Sequence, residues 1–395
     1  MNARSCSALL AISALAISTA ANAAVHRVYP GESIQAAIDG AAPGDTILVE
    51  PGIYQEDPSS RYGLRITTDN LRLIGKVKQG QGEEGKVRLI ATGAQETGIY
   101  AAPAGCEYDD VAGSCAAPDL QGFYVRGFSV EEFPRNGIQT RWVDGFEFVR
   151  NASVNNLNNG IYPTLSANGL VRNNVSYGSL DTSMWVAGSE NVRVIGNELF
   201  GSPIGFEISV SNNVHVTQNE IYGNTIGIGL FHPNAAGNPP IPVMENWVIE
   251  QNDVYDNNLP NPAPPESFQG ALPPGIGILV LGVSNHVVAK NNVEDNDFVG
   301  IGLLGWCTAN SADPTRNCGV RPPIAPPDVS NNLVAQNYVR GNGLSPPVTP
   351  FSFLAADLTY FEAEGSAGNC FKKNKPRDYT FVSSEPDGLL PTDGC

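Results

Sequence analysis

Between Asp144 and Leu230 the chain repeats itself. Segments starting at Asp144, Ala167, Glu190 and Asn212 each alternate apolar and polar residues, reach an asparagine, turn, and enter a Gly-Ile-like strand. The matching asparagines are Asn151, Asn173, Asn197 and Asn219, so the steps are 22, 24 and 22 residues. A self-similar period of this length marks a stack of supersecondary units, none of which buries its apolar face alone. Three short strands and three turns fill one such period, so the expected fold is an all-β parallel solenoid. Beyond Leu230 the matching residues are Asn252, Asn291 and Asn337, and the steps stretch to 33, 39 and 46. The added residues are Pro-rich: HPNAAGNPPIP, LPNPAPPESFQGALPPG and the segment around RPPIAPPD. Insertions of this kind become loops, often on one binding face.

The stacked asparagines are expected to be structural. Identical amides about 4.8 Å apart bond along the stack and to the turn backbone. Strand phase then separates two other sets of residues. In the Gly-Ile strand Ile138, Ile161, Met184, Phe206 and Ile228 take the inward position. Alternation points the next residues outward: Gln139, Tyr162, Trp185, Glu207 and Gly229. A second outward column reads Arg141, Thr164, Ala187, Ser209 and Phe231.

Composition agrees with short strands and tight turns. Only 16% of residues are charged, against 42 Gly and 30 Pro. The net charge of −17, with no basic face apparent, argues against a nucleic-acid partner. It would also repel an anionic polysaccharide at long range unless local Arg, Lys or bound cations offset it. Residues 1–24 read as an export signal: Arg4, the apolar run ALLAISALAIS, and Ala21-Asn22-Ala23 as the cleavage motif. No later run has the length of a membrane span, so the expected location is periplasmic or extracellular, without a transmembrane anchor.

Six cysteines follow the signal, and an even number in an oxidising compartment favours disulfides. Each neighbouring pair brackets its own non-repeating segment, which favours Cys106–Cys115, Cys307–Cys318 and Cys370–Cys395 among fifteen connectivities. The cysteines lack CxxC spacing and nearby histidines, so no metal site is expected. No dense Asp cluster supports Ca²⁺, and no other cofactor is expected.

The N-terminal stretch reads SIQAAIDGAAPGDTILVEPGIY. Ser33 is placed to cap a short helix whose Ile34, Ala37 and Ile38 share a face, and Thr46–Val49 is a buried strand. Such a helix covers the open end of a solenoid. This stretch resembles the entry of secreted right-handed parallel β-helix proteins of the pectin-lyase-like superfamily. GIYPTLSANGLVRNN, WVAGSENVRVIGN and NTIGIGLFHPNA resemble the tandem repeats of bacterial parallel β-helix repeat-containing proteins. The resemblance spans about 28 to 340. It implies a right-handed parallel β-helix and an exported location, and it transfers no catalytic residues. The expected organisation is a signal over 1–24, the capped β-helix over 25–343, and a C-terminal cap over 344–395.

The outward columns carry the functional reading. Aromatic faces stack on pyranose rings, while carboxylate, guanidinium and amide groups bond sugar hydroxyls. Gln139, Tyr162, Trp185 and Phe231 are therefore candidate substrate contacts for a polysaccharide lying along the axis. Hydrolysis needs two carboxyl groups at close range, and Glu207 with Asp181, one coil earlier, is the best pair. Lyase or C5-epimerase chemistry needs a cation on the uronate and a base. Arg141 is the candidate cation, and Tyr162 or His232 the base. His215 reads as an exposed strand residue, and His26 and His286 as isolated. The competing class is a structural or adhesive surface protein, in which aromatics suit the sheet and a Pro-rich loop covers them.

Overall fold

A computed structural model describes residues 23–77, 86–107, 115–232, 244–311, 317–320, 322–362 and 365–395. Residues 1–22 of the expected export signal lie outside the described residues, as do 233–243 of the first Pro-rich insertion. Among the described residues the strands form three sheets, of 12, 10 and 11 strands, and consecutive coils pair in parallel throughout. One coil shows the plan. Val143–Val149 lies in the first sheet, Ala152–Val154 in the second and Asn159–Thr164 in the third. No helix among these residues is long and apolar enough to cross a membrane.

The inward column holds its register. Ile138 pairs with Ile161, Ile161 with Met184, Met184 with Phe206, and Phe206 with Ile228. All five are fully buried in one continuous core. A shift of one residue would turn this whole column to solvent, so alternation and coil length together pin the register.

Polar ladders close the corners. Between the first and second sheets stand Asn151, Asn174, Asn197, Asn219, Asn252, Asn291, Asn337 and Asn374. Each of the first seven donates its backbone N–H to the Oδ1 of the next, at 2.9–3.0 Å. Each Nδ2 also reaches back to a carbonyl of the coil before; Asn174 Nδ2, for example, donates to Phe148 O at 3.0 Å. This corrects the expected member Asn173. Asn173 sits one residue earlier at φ 54°, exposed at the bend, where Asn tolerates the left-handed conformation. Either amide of Asn173-Asn174 satisfies a sequence pattern, but only Asn174 faces the stack. Ser179, Ser202, Asn224, Asn257, Asn296 and Asn342 form a similar ladder at the second corner.

The N-terminal cap forms as expected. Ser33 Oγ accepts from Ala36 N, and Ile34 and Ile38 bury the helix Ile34–Asp39 on the first coil. Glu56 ties the helix down, accepting from the Ser33 hydroxyl at 2.6 Å and from Ile34 N at 2.7 Å. The repeat geometry also runs on past Gly343: Ala356–Phe361 and Phe381–Ser383 extend the third sheet, and Cys370–Lys372 extends the first. The disulfides are Cys106–Cys115, Cys307–Cys318 and Cys370–Cys395.

Candidate functional site

The outward columns lie on the outer face of the third sheet in the expected register. Gln139 pairs with Tyr162, Trp185 with Glu207, and Glu207 with Gly229. Arg141 pairs with Thr164, Thr164 with Ala187, Ala187 with Ser209, and Ser209 with Phe231. This face is not the open strip that alternation predicts. Gln139 is 0% exposed, Tyr162 6% and Arg141 8%. Side chains one coil apart occupy one another's faces: the Tyr162 and Trp185 rings stack at 4.8 Å, as do Tyr62 and Tyr100 at 4.6 Å. Gln139 lies in register between Tyr100 and Tyr162 and accepts from Asn136 Nδ2 at 2.9 Å. Of this set Trp185 remains half-exposed, with its indole N–H donated to Ser209 Oγ at 3.0 Å.

Asp181 and Glu207 do come together. Asp181 occupies the turn before the strand Thr182–Ala187, held by its N–H on Asn158 O and by Ile204 N–H on its own carbonyl. Glu207 projects from the strand Ile204–Ser209, one coil on. Thr182 Oγ1 stands between them, 3.1 Å from Asp181 Oδ1 and 3.0 Å from Glu207 Oε2. The two carboxylate oxygens that meet this hydroxyl are therefore at most about 6 Å apart, near the close carboxyl spacing used in glycosidic cleavage. A hydroxyl has one hydrogen to donate. It satisfies both neighbours when it donates to one carboxylate and accepts from a protonated other.

The electrostatics agree. Burial drives the Glu207 carboxyl well above its usual range, the Asp181 charge adds to this, and the Thr182 hydrogen bond opposes it. Burial pushes Asp181 up to about 6, opposed by hydrogen bonds from Thr182 and Gln269. Glu207 is the more enclosed, at 5% exposure, while Asp181 sits half-buried at the rim. Both carboxyls are therefore raised by burial, and Glu207, the more enclosed and the one that feels the other's charge, holds its proton the more tightly.

Part of the cover is the second Pro-rich insertion. Its short turn Gln269–Ala271 brings the Gln269 amide to Asp181. The adjacent Phe268 packs edge-on against Phe231 at 5.5 Å and stacks on Trp306 at 6.0 Å. Beside it lies an apolar cavity of about 290 Å³, lined by Phe268, Leu272, Leu279, Phe298, Phe351 and Leu354. Leu279 follows Gly229 in the Glu207 column, so cavity and carboxyl pair share one face.

Other expected residues fall elsewhere. Arg141 lies over Trp142, 4.3 Å from the ring centroid, and three coils from Ser209, about 14 Å along the axis. His232 stacks on Trp306 at 5.1 Å with Nε2 3.0 Å from Ala325 O. Phe231 packs into the apolar cluster around the cavity. Sequence reasoning missed Thr182 and Gln269. Thr182 had a usable signal in its place next to Asp181; Gln269 had none beyond lying in a flagged insertion. The remaining histidines serve the coil: His26 bonds Asp45 at 2.8 Å, His286 stacks on Trp247 at 4.2 Å, and His215 meets Glu250 at 3.1 Å.

Residues 136–316 match the family model described as right handed beta helix region. This chain is a right-handed parallel β-helix. No curated protein matches its sequence. Among solved structures, the β-helix is similar to the A-module of mannuronan C-5 epimerase AlgE4 from Azotobacter vinelandii. That match has 14% identity and a TM-score of 0.56, covering 89% of this chain and 95% of that one. It is also similar to DFA-IIIase from Arthrobacter chlorophenolicus in complex with DFA-III, at 14% identity and TM-score 0.56, covering 94% and 86%. The Dettilon tailspike protein matches at 14% identity and TM-score 0.55, covering 92% of this chain and 61% of the tailspike. At such identities the likeness is one of fold.

Proposed function

We propose that this exported β-helix binds an extracellular or cell-envelope polysaccharide on the outer face of its third sheet and cleaves glycosidic bonds at Asp181 and Glu207. One observation carries the reading: two carboxyl groups share the Thr182 hydroxyl while their surroundings favour one proton between them. Protonated Glu207 donates its proton to the departing glycosidic oxygen. Ionised Asp181 attacks or stabilises the sugar carbon left electron-poor. Water then completes the hydrolysis, returning a proton to Glu207. Half-exposed Trp185, next to Glu207 in the column, offers a sugar-stacking edge.

The carboxyl pair favours hydrolysis over lyase or epimerase chemistry, because Arg141 lies too far along the axis to neutralise a uronate there. The named activity of the mannuronan C-5 epimerase makes a carbohydrate ligand a natural expectation for a similar fold. The export signal and three disulfides agree with an oxidising compartment. A second reading, a non-catalytic structural or adhesive protein, draws on the burial of Gln139 and Tyr162. Reducing-end and unsaturated-product assays on the mature protein, over a panel of polysaccharides, separate the two. Hydrolysis predicts new reducing ends that disappear in Glu207→Gln and Asp181→Asn. No product from any polysaccharide, or full activity in both variants, would overturn it.

A further inference from the structure

We propose that the outer face of the first sheet is a separate binding surface for a linear acidic polysaccharide. It lies on a different sheet from the Asp181–Glu207 pair and does not depend on the chemistry assigned there.

The observation is a charge asymmetry. In a chain of net charge −17, five exposed arginines gather on this face and its corner: Arg72, Arg126, Arg150, Arg172 and Arg193. One outward column runs Arg72, Tyr124, Glu147, Leu170, Arg193, His215 through consecutive coils. The next runs Arg126, Val149, Arg172, Ile195. Arg150 follows Val149 at the bend. None of the five arginines makes an ion pair among the described residues. Arg72 lies over the Tyr124 ring, 4.1 Å from its centroid.

Beside the first column runs an exposed ladder of amides. Asn246 donates to Asn213, Asn213 to Asn191, Asn191 to Asn168, and Asn168 to Asp144, at 2.6–3.2 Å. Together they border a shallow groove of about 630 Å³ lined by Arg72, Tyr124, Glu147, Leu170, Asn191 and Arg193. Acidic groups are present too: Glu147 stands inside the groove and Asp144 ends the ladder.

The geometry selects the ligand. The cations form a strip along the solenoid axis, which suits a linear polymer rather than a flat membrane. Coils repeat about every 4.8 Å, close to one sugar unit of an extended chain, so carboxylates on successive sugars meet guanidiniums from successive coils. Arginine binds carboxylate bidentately, the amides suit hydroxyls, and Leu170 offers apolar contact to a sugar ring. The acidity of the rest of the protein repels a polyanion elsewhere and orients it onto this strip.

Calorimetry on the mature protein tests this with mannuronan and polygalacturonate oligomers, neutral dextran and duplex DNA. The expected result is binding of the acidic oligomers, weakened by salt. Arg172→Gln/Arg193→Gln should lower affinity roughly tenfold or more, as the loss of two charge-assisted contacts implies. The control Arg340→Gln/Lys375→Gln, exposed positions carrying the same charge change, should leave it within about twofold. Both arginines are exposed, so the fold persists, and matching melting curves confirm it. No acidic-oligomer binding, equal binding of dextran or DNA, or equal loss in both double variants would overturn the proposal.

Discussion

Asp181 and Glu207 meet across a single hydroxyl. Thr182 Oγ1 lies 3.1 Å from one carboxylate and 3.0 Å from the other, although the two residues are one full coil apart in sequence. Coil stacking makes this possible: a turn residue in one coil reaches the strand of the next. A buried pair of this kind cannot ionise twice without leaving two charges in a poorly solvated site.

The pH profile should report that pair. Catalysis needs Asp181 ionised and Glu207 protonated, so kcat/KM should rise through about pH 6 and fall where Glu207 loses its proton. Glu207→Gln and Asp181→Asn should each lower activity roughly 10²–10⁴-fold, the usual span for a lost acid or base. A flat profile between pH 5 and 8 would count against the assignment.

Gln269 gives a finer test. Its hydrogen bond lowers the Asp181 carboxyl against the upward push of burial. Gln269→Ala should therefore move the acid limb of the profile to higher pH. An unchanged or lowered limb would show that the loop does not act on Asp181.

Stability should follow the same carboxyls with a definite sign. Both are raised above their unfolded values, so the folded state binds protons more tightly. Their stabilisation is present below pH 3.8, the ordinary Asp value, and for Asp181 is lost as pH rises through about 6. Glu207→Gln removes the Glu207 share of this pH dependence. Thermal melts at pH 5 and pH 8 should show a smaller drop for the variant than for the parent, and a higher Tm for the variant at pH 8.

The ladder register can be checked by unfolding in denaturant. Asn174→Ala strands the Asn151 N–H inside the corner and should destabilise by about 1–3 kcal/mol. Asn173→Gly, at an exposed left-handed position, should change stability by less than about 0.5 kcal/mol. The reverse order would restore Asn173 to the ladder.

The coil period, the inward column from Ile138 to Ile228, the outward phase, the N-terminal cap and the disulfide pairing were all legible in the amino-acid sequence. They rest on local rules: alternation along a strand, a fixed coil length, and short insertions bracketed by their own cysteines. The asparagine stack was legible to within one residue, because Asn173 and Asn174 are the same amide and only the bend tells them apart. Tertiary structure alone decided exposure and distance. Alternation says that Gln139 and Tyr162 leave the core, but not that side chains of neighbouring coils bury them again. The period sets Arg141 three coils from Glu207, but neither period nor alternation says that Thr182 and Gln269 meet Asp181 beside Glu207. The five arginines of the first sheet are scattered through the sequence and become one surface only because the solenoid winds them onto the same side.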